Sequence, residues 1–125
     1  LIDTREEWIH HENLSPDVIK ISEDPLQFVM SNNWLPRSSL VLIMTHSHQL
    51  DFDLLSNLVD KDLLYLGLIG SQTKWLRFKK RLEEKEFEDN DIQKVKCPIG
   101  IPIGGKAPKE IAISVGAELL SILYN

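Results

Sequence analysis

The stretch LLYLGLIGSQTKWLRFKKRL, residues 63–82, decides the fold class of this chain. Its first part, Leu63–Ile69, is a continuous apolar run, which is typical of a parallel strand covered on both faces. Ser71 follows Gly70 and is a favoured residue for capping the start of a helix. Apolar residues then recur at helical spacing, at Trp75, Phe78 and Leu82. The stretch therefore predicts a buried strand that passes through a short loop into an amphipathic helix.

An earlier segment repeats this order of strand and helix. Ser39–Met44 is a second continuous apolar run, and we expect it to form a buried strand parallel to and beside the first. Asp51 is a plausible N-cap for the helix between the two strands, whose inner face is predicted to contain Leu54, Leu55, Leu58 and Val59. Strands alternating with helices predict an α/β fold with a doubly wound, mostly parallel, Rossmann-like sheet.

The chain ends add further predicted elements. Leu1–Asp3 and Asp17–Ile21 are expected to be short strands, a short helix is expected after Pro25, and Pro108 is expected in the first turn of a last helix. The sequence contains no Gly-x-Gly-x-x-Gly turn. We therefore expect residues 1–125 to form one Rossmann-like domain that is incomplete at its amino end, with the first strand and phosphate loop upstream of Leu1.

Composition limits the classes of function. The formal net charge of −5 does not favour nucleic-acid binding, which requires a basic surface. No apolar run reaches the length of a membrane span, so no membrane association is expected. Cys97 is the only cysteine, which excludes an internal disulfide and favours a reducing compartment, the cytoplasm.

The loops after the two predicted strands form the first candidate site. Parallel strands end at one edge of their sheet, so Thr45 and His46 should lie near Gly70, Ser71 and Lys74. Backbone N–H groups at the start of a helix favour an anion. Lys74 opposes the positive end of the helix dipole, and a bound phosphate near Ser71 would offset that cost. The alternative is a solvated surface helix that tolerates this order of charges.

The loop CPIGIPIGGKAPKE, residues 97–110, is the second candidate. Gly100, Gly104 and Lys106 fit an anion-binding turn, although the glycines could equally serve only to form tight turns. Glu110 begins a polar stripe on the last helix that either faces water or lines a groove or a dimer interface. The stripe continues with Ser114, Glu118 and Ser121.

Three other residues could have a binding role or only an ordinary structural one. Asp3 could accept hydrogen bonds from a ribose, or it could be a turn residue. His46 and His48 have a spacing compatible with metal binding, but no third ligand is close in sequence, so we predict no metal site. No arrangement of residues predicts a catalytic nucleophile, and no catalytic residue is assigned.

Four motifs, in this order, resemble those of the carboxyl-terminal Rossmann-like domain of the XdhC/CoxI-type xanthine dehydrogenase accessory proteins. They are LIDTREEW, MTHSHQLDFDLL, YLGLIGSQTKWLRFKKRL and CPIGIPIGGKAPKEIAISVGAELL, and they cover nearly the whole chain. The resemblance implies a maturation factor that binds molybdenum cofactor (molybdopterin). Such a factor assists the sulfuration of the cofactor and its insertion into xanthine dehydrogenase-type molybdenum hydroxylases.

The same resemblance implies partners. They are an apo molybdenum hydroxylase, a cysteine desulfurase and a second copy of the chain in a homodimer. A cofactor-binding chaperone is therefore expected rather than a catalyst. The competing hypothesis is an NAD(P)-dependent oxidoreductase domain, because Rossmann-type folds commonly bind NAD(P) or another nucleotide.

Overall fold

The computed structural model of the protein describes residues 1–124. The chain divides into two compact units, Leu1–Trp34 and Leu35–Asn125. Among the described helices, none combines the length and the apolar character that crossing a membrane requires.

The first unit contains two short helices, α1 (Glu6–Ile9) and α2 (Pro25–Met30). The helix predicted after Pro25 is confirmed, and Asp24 caps it by accepting a 2.9 Å hydrogen bond from the backbone N–H of Leu26. The two predicted strands are wrong as strands, because they reduce to one parallel bridge between Ile2 and Ile21. Ile19 is 77% exposed, so this segment lacks the buried apolar face that would hold a longer strand in a sheet.

The second unit is built on three parallel strands, β1 (Leu40–Ile43), β2 (Tyr65–Leu68) and β3 (Val95–Lys96), in the order β1-β2-β3. Strands β1 and β2 are neighbours, with Leu40 opposite Tyr65 and Ile43 opposite Leu68. The α/β fold with a parallel sheet is therefore confirmed. The sequence did not predict β3, which follows Lys94 and has only two residues, one of them a lysine.

Four helices accompany this sheet. They are α3 (His48–Leu58), α4 (Gln72–Glu84), α5 (Asp89–Ile92) and α6 (Pro108–Leu123), and a short 3₁₀ turn spans Pro36–Ser38. Helix α3 connects β1 to β2, and α4 and α5 connect β2 to β3. Their shared core includes Phe52 and Phe78, whose rings meet edge to face at 5.3 Å. Leu55, Leu58, Leu68 and Leu82 are also fully buried there.

Burial corrects two expectations about these elements. All four residues of β2 are buried, but β1 is not covered on both faces, since Leu42 is 37% exposed and Met44, just after it, is 53% exposed. In α6, Ser114 and Glu118 are buried whereas Glu110 and Ser121 are exposed. The middle of the polar stripe therefore faces inward, and the interpretation that it simply faces water is wrong for those two residues.

Candidate anion-binding site

A cleft of about 340 Å³ lies at the carboxyl ends of β1 and β2. Five of its lining residues were predicted from the sequence to meet at this edge, and the structure brings them together: Thr45, His46, Gly70, Ser71 and Lys74. His48, Asp51 and Ile69 complete the lining. The crossover geometry of parallel strands explains this, because each loop follows its strand at the same edge of the sheet.

The centre of the cleft is the carboxylate of Asp51, a residue predicted from the sequence to be a helix N-cap. Asp51 is not the N-cap of α3; that position belongs to Ser47, whose hydroxyl accepts from the backbone N–H of Leu50 at 3.2 Å. Asp51 lies in the first turn and is completely buried. Its Oδ1 accepts from the backbone N–H of Thr45 at 3.0 Å and lies 2.7 Å from the Thr45 hydroxyl. The carboxylate thereby fixes the loop after β1 against the start of α3.

Lys74 supplies the opposite charge. Its Nζ donates to Oδ2 of Asp51 at 2.7 Å and to the backbone carbonyl of Ile69 at 2.8 Å. The Lys74 side chain is only 12% exposed and that of Asp51 is 1% exposed, so the ion pair is shielded from water. An ammonium group has three N–H donors. These two contacts use two of them, and the third has no hydrogen-bond acceptor among the described residues, although the Phe78 ring centre lies 5.4 Å from Nζ.

Gly70 makes the position of Lys74 possible. The backbone of Gly70 has φ of +149°, a conformation that residues with a side chain rarely adopt. A Cβ atom at this position would also collide with Cδ of Lys74. The absence of a side chain therefore lets the lysine fold back across the loop towards Asp51.

Ser71, at the start of α4, also lines the cleft. It is the N-cap of this helix and accepts from the backbone N–H of Lys74 at 3.3 Å, as predicted. The unpaired N–H groups of the first turn, with the positive end of the helix dipole, favour an anion. The rim formed by His46 and Ser71 is exposed to solvent. The arrangement can therefore hold an anionic group that enters from outside.

Cys97 lies beside this loop but does not have the character of a nucleophile. Its Sγ is 3.7 Å from the carbonyl oxygen of Gly70 and 3.9 Å from that of Ser71. Burial raises the pKa of the Cys97 thiol, and the nearby Lys74 ammonium only partly opposes this effect. The thiol thus stays protonated and donates to the loop carbonyls, and no thiolate chemistry is assigned to it.

The second predicted loop lies outside the cleft. None of Gly100, Gly104, Lys106 and Glu110 is among its lining residues. Gly100 instead packs so closely on α6 that a Cβ atom would collide with the hydroxyl of Ser114. Glu110 accepts from the backbone N–H of Ala107 at 3.2 Å and so caps α6. A ligand role for these four residues stays a prediction.

Two further sequence-predicted features can be described by themselves. Asp3 belongs to the first unit, where its carboxylate receives hydrogen bonds from the backbone and the guanidinium of Arg5, the shortest at 2.8 Å. Its role towards a ribose remains a prediction. Within residues 1–124, no three His, Cys, Asp or Glu side chains are grouped so that they could hold a metal ion.

The sequence contains a signal for the role of Asp51 in the order of residues in the two loops. The two capping serines, Ser47 and Ser71, follow neighbouring parallel strands. Ser47 is followed four residues later by the acidic Asp51, and Ser71 is followed three residues later by the basic Lys74. Side chains in the first turns of helices that follow neighbouring parallel strands lie near each other at the sheet edge. Taken together, the two loops make Asp51 and Lys74 candidates for an ion pair, although the contact itself is not contained in either local pattern.

Comparisons with known proteins agree with this architecture. Residues 1–119 match the family model of the XdhC Rossmann domain. A crystal structure of a xanthine dehydrogenase from Bacillus halodurans superposes with a TM-score of 0.78 and 30% identity, covering 98% of this chain and 34% of that one. In Bacillus subtilis (strain 168), a probable subunit of xanthine dehydrogenase is 32% identical over 100 residues, which are 80% of this chain.

A protein of Escherichia coli (strain K12), the uncharacterized protein YqeB, is 37% identical over 87 residues, or 70% of this chain. The matched regions are only 16% of the length of YqeB and 28% of the length of the Bacillus subtilis protein. The family model, in contrast, spans nearly the whole of this chain. The protein therefore belongs to the XdhC family, of which it contains the Rossmann domain.

Proposed function

We propose that this protein binds molybdenum cofactor and assists its sulfuration and its insertion into a xanthine dehydrogenase-type hydroxylase. Membership of the XdhC family and the similarity to proteins named as xanthine dehydrogenase, or as part of it, support the link to that enzyme. The single observation that carries the proposal is the cleft around Asp51 and Lys74, which offers a partly shielded cation beside a helix start.

The role of the cleft in this proposal is to hold the phosphate of the pterin. The residues fit an anion, because Ser71 at the start of α4 and Lys74, whose ammonium has one N–H beyond its two hydrogen bonds to the protein, both line a space of about 340 Å³. This volume is at the small end of ligand pockets, so it suits the phosphate end better than a whole dinucleotide. When bound, the cofactor would supply the molybdenum chemistry, and the chain would hold and orient it.

Sulfur transfer is assigned to a partner in this proposal. Since burial raises the pKa of Cys97, this chain offers no reactive thiolate beside the cleft. A cysteine desulfurase would provide the sulfur, and the apo hydroxylase would receive the finished cofactor in the cytoplasm. The protein would act as a homodimer. An NAD(P)-dependent role would use the same kind of cleft. The binding experiment therefore has to distinguish NAD(P) binding from binding of molybdenum cofactor.

The decisive experiment removes the charge of Lys74 without leaving a buried charge unpaired. Asp51→Asn combined with Lys74→Met keeps the interior neutral and should weaken binding of molybdenum cofactor about 10- to 100-fold, the scale of a lost charge-assisted hydrogen bond. Anaerobic calorimetric titration with cofactor released from a molybdoenzyme measures this change. A parallel titration with NAD(P)H tests the alternative.

The matched control is Lys79→Met, which removes an exposed lysine from the same helix. It should bind the cofactor with nearly the affinity of the unmodified protein, and circular dichroism should show an unchanged fold for all variants. Equal losses at positions 74 and 79 would reduce the effect to general electrostatics. Undiminished binding by the double variant would contradict the proposed site.

A further inference from the structure

The permanent charges of the cleft at the carboxyl ends of β1 and β2 cancel each other. Nζ of Lys74 lies 2.7 Å from Oδ2 of Asp51, and the two side chains are only 12% and 1% exposed. Opposite charges this close together largely offset each other's field at any point outside the pair. Lys74 can therefore donate a hydrogen bond to an anion, but the pair supplies almost no net charge to attract one.

Two histidines supply the only other charge that the lining of this cleft can acquire in the described chain. His46 and His48 both line the cleft, and both are exposed to solvent. Histidine is the side chain that gains a positive charge as the pH falls from about 8 to about 5. The remaining lining residues carry no side-chain charge in this range: Thr45, Ile69, Gly70 and Ser71. The lining therefore gains one positive charge with each imidazole that takes up a proton.

The neighbouring elements do not offset this charge within the cleft. Asp51, on α3, is the only carboxylate among the lining residues of the described chain, and Lys74 of α4 already pairs with it. Asp53, the next carboxylate along α3, accepts from the side chain of Gln49 at 2.9 Å and does not line the cleft. Behind the loop after β2, the thiol of Cys97 keeps its proton, because burial raises its pKa. The charge of a protonated imidazole at this edge of the sheet is thus available to a ligand.

We propose that His46 and His48 provide the charge with which this cleft holds a phosphate-type anion, so that acidification fills the site and alkaline pH empties it. The two histidines act on the cleft of the proposed function, on which this inference rests, and they determine when that cleft is occupied. A factor that hands over its ligand has to release it, and the loss of one or two protons weakens anion binding without a change of fold.

The size of the effect follows from the exposure of the two imidazoles. An exposed pair of opposite charges changes an affinity by at most about fivefold, because water and salt screen it. Two such pairs, neither at full strength, should together change the affinity about tenfold.

Titration with sodium sulfate at several pH values tests the proposal, with binding followed by NMR at the backbone amides of Ser71 and Lys74. Sulfate is a suitable probe because it keeps its charge between pH 5.5 and pH 8, whereas a phosphate changes its own charge near pH 6. Ionic strength is held constant throughout. The affinity of the unmodified chain for sulfate should rise about tenfold from pH 8 to pH 5.5. The double variant His46→Gln, His48→Gln should keep, at both pH values, the affinity that the unmodified chain has at pH 8.

The matched control is the double variant His10→Gln, His11→Gln, which removes the other two of the four histidines. His10 and His11 belong to the first unit and do not line the cleft, so this variant should keep the full rise in affinity. A sulfate affinity that does not change with pH, an equal loss of the rise in the two double variants, or no sulfate binding at these amides would overturn the proposal.

The same titration separates this proposal from the proposed function. Sulfate binding that is lost on combining Asp51→Asn with Lys74→Met, but that does not change with pH, would leave the cleft as an anion site and remove only the role of the histidines. Binding of molybdenum cofactor itself is measured in the separate calorimetric titration.

Discussion

At the scale of single residues, the buried pair of Asp51 and Lys74 organises the cleft. Two charges that are removed from water are stable only when each is satisfied, and here Asp51 is held by Lys74 and by two groups of Thr45. The pair also links the first turns of α3 and α4. The same contacts that shape the candidate site therefore contribute to the stability of the fold.

Asp51→Asn should destabilise the protein by about 3–5 kcal/mol, because it leaves the Lys74 ammonium buried without its counter-charge. Chemical denaturation measures the change in the free energy of unfolding. Adding Lys74→Met to Asp51→Asn should restore most of the loss. The exposed pair of Arg37 and Asp62, 3.7 Å apart, is the control, and Asp62→Asn should have no measurable effect. Similar losses at Asp51 and Asp62 would contradict this account.

The sequence predicted the positions of these residues better than their contacts. Thr45, Gly70 and Lys74 were placed at one sheet edge because the crossover rule fixes where loops after parallel strands lie. Asp51 was interpreted as a helix cap because a capping residue is recognised from local sequence alone. The side-chain partner of Lys74 depends on a contact between residues 23 positions apart, which local patterns do not contain.

At the scale of elements, α6 depends on a close contact with the loop before it. The Ser114 hydroxyl donates to the carbonyl of Ile101 at 2.6 Å, and Gly100 lies directly against the same serine. Gly100 has φ of +91° and Gly104 has φ of +93°, so both occupy the region that glycine favours. Only Gly100 also faces a neighbouring side chain, since a Cβ atom at Gly104 would meet nothing within 4 Å.

This difference predicts unequal costs for two similar changes. Gly104→Ala should destabilise the protein only by backbone strain, about 1 kcal/mol. Gly100→Ala should cost about 1–3 kcal/mol more, because its methyl group also displaces Ser114 and with it α6. Urea denaturation of the two variants side by side measures the difference. Equal losses would mean that α6 does not rest on Gly100.

Whether an element was predicted depended on how its apolar residues are arranged. β1, β2 and α4 have continuous or periodic apolar patterns, and each was predicted within a few residues of its observed bounds. The two residues of β3 form no such pattern, and pairing with β2 alone makes them a strand. The sequence also did not predict that Ser114 and Glu118 face inward, because an apolar helix with a narrow polar stripe can turn that stripe either to water or to the core.

At the scale of the whole molecule, two weakly acidic groups, the buried phenol of Tyr65 and the partly buried thiol of Cys97, couple folding to alkaline pH. Burial raises the pKa of Tyr65, and the neighbouring Glu118 carboxylate raises it further. The hydroxyl of Tyr65 and Oε1 of Glu118 are both buried, and neither has a hydrogen-bond partner of ordinary geometry within the described chain. Burial likewise raises the pKa of Cys97. In both cases the folded chain holds the proton more tightly than the unfolded chain.

Stability should therefore be complete below the ordinary pKa values and fall as the pH rises. The unfolded thiol loses its proton near pH 8.5 and the unfolded phenol near pH 10, and each group then contributes a slope of up to about 1.4 kcal/mol per pH unit. Denaturation between pH 7 and pH 11 should show Cys97→Ala removing the earlier part of the decline and Tyr65→Phe the later part. Tyr124→Phe is the matched control, because Tyr124 is 82% exposed, and it should leave the profile unchanged. A flat profile would show that neither group controls the alkaline stability, and an equal effect of the two tyrosine changes would show that the burial of Tyr65 does not.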